Sequence, residues 1–218
     1  MVRDYTSEIA QDWADNPYYA EAEQWIAPFW REGSVFRDYF SLLDPQRLVE
    51  LACGRGRHAA HILQTREMAA RIDRITLVDV NQANIDACKA RFSARSDVDY
   101  VVNSGSDLSA IANGSQTGLF CYDAMVHFEA EDVIAYLGEI ERILAPGGRA
   151  VLHYSNQQRY PGRSYRDAPH CRNFFSETMM LHFSQRKGLH PLRRTKLDWG
   201  SKPVSRKIDA LILVEKAG

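Results

Sequence analysis

The chain has little cysteine and no long apolar run. Its four cysteines, Cys53, Cys88, Cys121 and Cys171, show neither paired nor metal-ligand spacing, so no disulfide framework and no metal centre is expected. No apolar stretch approaches the ~18 residues that a membrane span needs. The first residues, Met-Val-Arg-Asp-Tyr, run into acidic and aromatic positions rather than the apolar core of a secretory signal. A reduced, cytoplasmic protein with no membrane partner is the expectation. Excess charge is missing too: the net charge is −1, whereas a nucleic-acid binder is usually strongly basic, so no nucleic-acid partner is expected. The charge is nevertheless unevenly spread. Residues 159–207 hold 12 Lys or Arg against 3 Asp or Glu, and residues 1–158 hold 14 against 23. Either the basic segment draws an anionic acceptor or an acidic partner, or it is a solvated face that balances an acidic one. With 218 residues, 45% of them hydrophobic, and no internal repeat, the chain is long enough to bury one full core.

What is present centres on residues 49–59, Val-Glu-Leu-Ala-Cys-Gly-Arg-Gly-Arg-His-Ala, an apolar strand that runs into a Gly-x-Gly turn and a helix. Gly54 and Gly56 remove side chains where the backbone turns and approaches a ligand, and the following helix start aims free N–H groups at it. Glycine spacing alone leaves a dinucleotide site open, because Ala59 is an allowed third position of that fingerprint. The context is richer. A second strand, 75–78, ends at Asp79; a third, 100–102, leads into Asn103-Ser104-Gly105-Ser106-Asp107-Leu108; a fourth, 119–122, ends at Asp123; and a helix runs into Leu144-Ala145-Pro146-Gly147-Gly148 before strand 149–153.

In these residues the chain resembles the class I S-adenosylmethionine-dependent methyltransferase family. The resemblance rests on Glu50-x-x-Cys53-Gly54-x-Gly56, the strand-ending Asp79, Gly105-x-Asp107-Leu108 and Leu144-x-Pro146-Gly147-Gly148, four motifs in order over about residues 45–155. It implies an α/β fold, a doubly wound, mostly parallel seven-stranded Rossmann-like sheet with an antiparallel final strand. It also implies S-adenosyl-L-methionine as cofactor and methyl transfer to an oxygen or nitrogen of a polar small molecule.

Around that core, residues 1–44 are expected to form a helical lid. Trp13, Tyr18, Tyr19, Trp25, Phe29, Trp30, Phe36, Tyr39 and Phe40 fall within 28 residues, and Gly33-Ser34 breaks the pattern between two helices. Residues 45–218 form the methyltransferase core. The Arg-rich stretch at about 157–175 is longer than most connections and is read as a substrate-side insertion. Ser176 is placed to cap a helix that Gly188 ends, and two last strands, about 189–197 and 208–214, form an edge hairpin.

The resemblance implies a cofactor site of Glu50, Ala52, Cys53, Gly54, Gly56, Arg57, Asp79, Val80, Gly105, Ser106, Asp107 and Asp123. Asp79 offers two acceptor oxygens to the ribose diol. Val80 flanks the adenine, Gly105, Ser106 and Asp107 line its edge, and Arg57 either meets the methionine carboxylate or is a solvated first-turn residue. Methyl transfer from a sulfonium needs alignment and exclusion of water, and a base only where the nucleophile arrives protonated. Ligands of open α/β sheets bind at the carboxyl ends of the strands, so His127, Asp123 and His153 are the catalytic candidates, with His127 as base. Trp30, Tyr154, Asn156, His170, Arg172 and Asn173 are the substrate-wall candidates, and Arg163, Arg166 or Arg172 would clamp a carboxylate or phosphate of the acceptor. Two other classes stay open on sequence: a nicotinamide-dependent oxidoreductase and a non-catalytic cofactor-binding subunit. A homodimer is likewise left open.

Overall fold

The computed structural model describes residues 4–14 and 16–218. Among the described residues seven strands make one sheet: β1 (Arg47–Leu51), β2 (Arg74–Asp79), β3 (Val98–Val102), β4 (Gln116–Cys121), β5 (Leu144–Ser155), β6 (Leu189–Leu197) and β7 (Asp209–Lys216). Their order is β3-β2-β1-β4-β5-β7-β6. All neighbours from β3 to β5 are parallel, and β7 runs antiparallel to both β5 and β6. The chain winds outward from β1 through β3 and then returns to β4. That reversal opens a crevice at the carboxyl ends of β1 and β4. The expected doubly wound, seven-stranded sheet with an antiparallel edge is thus what the chain forms.

The nine helices among the described residues are α1 (Tyr5–Trp13), α2 (Tyr18–Ala22), α3 (Ile26–Trp30), α4 (Val35–Phe40), α5 (Arg57–Gln64), α6 (Arg66–Ala69), α7 (Gln82–Arg91), α8 (Ala130–Ile143) and α9 (Glu177–Arg186). Strand side chains alternate between faces, and here both faces are covered. Leu48, Phe120, Leu211 and Leu213 join one core with Phe36 and Phe40 of α4, Ile62 of α5 and Ile85 of α7. Their neighbours Val49, Leu119, Cys121, Ile212 and Val214 join the other with Leu137 and Ile140 of α8 and Met180 of α9. Near-continuous apolar strands follow from that double burial.

The N-terminal segment departs from the two helices expected of it, being divided into four short ones. Proline explains one of the additional breaks. Pro17 has no N–H to give a helix interior and biases Asn16 away from helical torsions, so α1 stops at Trp13 and α2 starts at Tyr18. Ser34 does cap a helix as the Gly33-Ser34 break suggests, its Oγ accepting the Arg37 N–H at 3.2 Å. Segment 157–175 holds two short 3-10 turns, Tyr165–Asp167 and Pro169–Cys171. Arg166 Nε meets Asp12 of α1 at 2.6 Å, and Tyr165 hydrogen-bonds the same carboxylate. The helices at the chain's start are therefore tied to the late insertion.

Candidate active site

A cleft of about 1030 Å³, mouth included, lies at the carboxyl ends of β1, β2, β3 and β4, under α1 and α2. Its floor is the 50–57 turn. Cys53 N–H donates to the Val78 carbonyl at 3.0 Å and locks the turn onto β2. Glu50, 2% exposed beneath it, accepts the Ala59 N–H at 3.0 Å. Burial pushes the Glu50 carboxyl up to about 8, against the opposing pull of that hydrogen bond. Two non-glycine residues of the wall, Ala52 (φ 55°) and Asp123 (φ 58°), stand in the left-handed region. Such torsions cost about 1–3 kcal/mol each and persist where their surroundings over-determine them.

Asp79 closes β2 at the side of the cleft. It is 5% exposed and accepts three hydrogen bonds: Gly54 N–H at 2.8 Å, Asn81 N–H at 2.9 Å and Asn84 Nδ2 at 3.0 Å. A carboxylate has about four acceptor positions, so one remains for a ligand hydroxyl in this arrangement. Desolvation raises its pKa, and these three donors, together with the Val80 N–H, oppose the rise.

The glycines serve different neighbours from those expected. A Cβ on Gly54 would meet the Tyr19 ring at 2.9 Å, and one on Gly105 would meet the Thr6 methyl at 2.6 Å. Both glycines face the cleft, and both are approached by the N-terminal helices. Gly56 faces the core instead, where a Cβ would lie 2.8 Å from Phe92 and 3.1 Å from Cys88 Sγ. It is absent from the cleft wall. Overpacking together with a φ of 73° leads us to expect that Gly56→Ala destabilises the fold by about 2–4 kcal/mol, measured by denaturant unfolding. Unchanged stability would contradict this packing role.

At the end of β4, Asp123 Oδ2 accepts Arg57 Nη2 at 2.8 Å and the Tyr18 hydroxyl at 3.1 Å. Arg57 Nη1 also donates to the Ala22 carbonyl at 2.9 Å. Arg57 therefore pins α2 to Asp123 rather than standing in solvent. His127 lines the cleft on a 3-10 turn, 7% exposed, with its ring centroid 4.8 Å from that of Trp13. Its Nδ1 lies 2.7 Å from the Cys171 carbonyl, an acceptor, so Nδ1 carries the proton and Nε2 keeps its lone pair. Burial, reinforced by Arg172, lowers its pKa to about 4. The imidazole is neutral throughout the physiological range.

Of the expected cofactor residues, Glu50, Ala52, Cys53, Gly54, Arg57, Asp79, Val80, Gly105 and Asp123 all line this one cleft. Ser106 and Asp107 do not. The Asp107 carboxylate folds back on its own turn, bonding Ser104 and Ser109, which hold its pKa well below the usual range. The cleft edge there is Asn103, whose Nδ2 donates to the Tyr136 hydroxyl at 2.7 Å.

The expected substrate wall is not assembled. Trp30 is 3% exposed in the core, its Nε1 donating to His58 Nδ1 at 3.0 Å. Tyr154, 0% exposed, packs against Phe175 on the opposite face. Asn156 caps backbone groups of Lys207 and Glu177. His170 Nε2 pairs with Ser205 Oγ at 2.8 Å. Asn173 Nδ2 donates to the His127 carbonyl at 3.3 Å. Arg172 is buried in a two-pronged pair with Asp209, at 2.8 and 2.7 Å. His153, also 0% exposed, stands behind the wall, accepting the Asp123 N–H on Nδ1 at 3.1 Å. Asn156, His170, Arg172, Asn173 and His153 are each engaged by partners elsewhere in the chain, which residue type alone does not reveal. The wall is built instead by Trp13, Tyr18 and Tyr19 of the N-terminal aromatic cluster, with Asp132 and Tyr136 of α8.

Known proteins agree with this fold. Residues 48–148 match the methyltransferase domain family. A geranyl diphosphate C-methyltransferase from Streptomyces coelicolor, solved with Mg2+, geranyl diphosphate and S-adenosyl-L-homocysteine, superposes with TM-score 0.70 at 16% identity, over 99% of each chain. A complex of the Haloferax volcanii Trm112 methyltransferase activator with a methyltransferase gives TM-score 0.69 at 15% identity over 100% of each chain. The [4+2]-cyclase SpnF gives 0.63 at 15% identity, over 90% of this chain and 80% of that one. No curated protein matches the chain. Residues 48–148 thus match a methyltransferase domain, and the chain around them has the fold of class I S-adenosylmethionine-dependent methyltransferases.

Proposed function

We propose that the protein transfers the methyl group of S-adenosylmethionine to an oxygen or nitrogen of a small molecule held under α1 and α2. The observation that carries this reading is the cleft's geometry: the 50–57 turn forms its floor at the carboxyl ends of the strands, Asp79 closes its side, and Asp123 and Asp132 stand on its wall. When bound, S-adenosylmethionine supplies a methyl group already activated on a sulfonium. Asp79 is placed for the ribose, Val80, Asn103 and Gly105 for the adenine side, and Glu50, Ala52, Cys53, Gly54 and Asp123 for the methionine side. Arg57 takes part through its pairing with Asp123. Helices α1 and α2 act as the lid, excluding water and fixing the acceptor in line. His127 Nε2 accepts the proton of a protonated nucleophile.

An anionic acceptor has little support. Arg163, Arg166 and Arg172 lie outside the cleft wall, and the two guanidinium groups within it are engaged, Arg57 with Asp123 and Arg55 over the Tyr19 ring at 5.2 Å. An uncharged or amine-bearing acceptor matches the wall of Trp13, Tyr122 and Phe128 beside His127. The test is a methylation assay with radiolabelled S-adenosylmethionine on paired acceptors: phenols and amines, each with and without an added carboxylate. We expect turnover of uncharged or amine acceptors and at least about tenfold lower kcat/KM for their carboxylates. Preference for the carboxylates would overturn the acceptor assignment. A purified protein that binds no S-adenosylmethionine would overturn the whole reading.

A further inference from the structure

Three buried ionisable side chains beneath the site take no part in the chemistry proposed above. His153 and Asp209 are 0% exposed and Arg172 is 3% exposed. They form a line that starts in the late insertion and ends at the lid. Arg172 grips Asp209 with Nε and Nη2 at 2.8 and 2.7 Å. Asp209 Oδ2 lies 3.2 Å from His153 Nε2, in close approach but not aligned as a hydrogen bond. His153 Nδ1 accepts the Asp123 N–H at 3.1 Å, and the Asp123 carboxylate holds Arg57 and Tyr18.

We infer that His153, clamped between Tyr122 and Trp199 beside Asp209, is a positioning residue for the cofactor site: it fixes the left-handed backbone of Asp123, and through it the carboxylate that fastens Arg57 and the lid.

Asp123 is a non-glycine residue at φ 58°, a torsion that needs outside support. The support at its N–H is the His153 lone pair. An acceptor at Nδ1 requires the ring proton on Nε2, the nitrogen that faces Asp209. Arg172 neutralises Asp209 and stacks at 4.8 Å over Trp199. The imidazole itself is clamped between Tyr122 and Trp199, at centroid distances of 4.7 and 5.0 Å. The ring can neither turn nor exchange tautomers without breaking one of these contacts. A side chain that merely filled the core would have no need of that tautomer.

The inference rests on S-adenosylmethionine as the cofactor, and its test separates the two. Calorimetric titration with S-adenosylhomocysteine is run on the full-length wild type and on His153→Asn, His153→Gln and His153→Leu, with thermal unfolding of each. The Asn amide reaches the Nδ1 position and can accept the Asp123 N–H; the Gln amide extends to the Nε2 position; Leu offers no acceptor. We expect Asn within about threefold of wild-type affinity, and Gln and Leu weaker by at least about tenfold, whatever the order of the unfolding midpoints. If Leu does not fold, the Asn and Gln pair decides. Equal affinities for all variants, or Asn as weak as Gln, would overturn the positioning role alone. A wild type that does not bind would overturn that role together with the cofactor assignment.

Discussion

Asp79→Ala lowers affinity for S-adenosylmethionine by at least about 100-fold, the largest binding effect expected of any single substitution in the cleft. Two losses add. The ribose hydroxyl loses its acceptor, and three donors that now end on the carboxylate, from Gly54, Asn81 and Asn84, are left without it in a site 5% exposed. An unsatisfied buried donor costs about 1–3 kcal/mol, and Gly54 lies in the turn that forms the floor. The control is Asp79→Asn, which keeps the shape and one acceptor oxygen, and should fall between the two. Calorimetry on folded protein checks the order. Wild-type affinity in Asp79→Ala would mean that the cofactor is held elsewhere.

His127→Ala leaves cofactor affinity within about threefold but lowers kcat by roughly 10²–10⁴, the range typical of a lost general base. His127→Asn sharpens the point. Its amide can still donate to the Cys171 carbonyl, as Nδ1 does at 2.7 Å, but it has no basic nitrogen, so it should be as slow as Ala. The pH profile carries a second signature. Because burial lowers the imidazole to about 4, wild-type turnover should lose nothing to His127 protonation between pH 6 and 9. Stability behaves correspondingly. The unfolded chain takes up a proton near 6.5 that the folded chain refuses until about 4, so this group's burial erodes stability as pH falls through that window. Turnover by His127→Ala that equals wild type from pH 6 to 9 would remove the base role.

Much of this site is legible in the amino-acid sequence, for a physical reason. The cofactor-side residues sit on strand ends, and their spacing follows from a short strand, a tight turn and a helix. Glu50, Gly54, Asp79 and Asp123 therefore fall together once the sheet order is known. Gly56 shows the limit: its motif position is right, but the space it leaves is filled by Phe92 and Cys88. The acceptor wall is less legible. Tyr154, Asn156, His170, Arg172 and Asn173 have the residue types of a polar pocket, yet Tyr154 is buried against Phe175 and each of the others is matched by a partner that no local pattern announces, such as Asp209, 37 positions after Arg172. The aromatic cluster of the first 40 residues is plain as a cluster. Which rings reach the cleft depends on where Pro17 breaks the helix, and that places Trp13, Tyr18 and Tyr19 inside and Trp25 in solvent at 42% exposure.

The most direct test of the central claim is a parallel calorimetric titration of the purified protein with S-adenosylmethionine, S-adenosylhomocysteine and NADH. The carboxylate-lined cleft and the class I fold predict micromolar binding of the two sulfur compounds and none of NADH. Binding of NADH alone, or of none of the three, would contradict it.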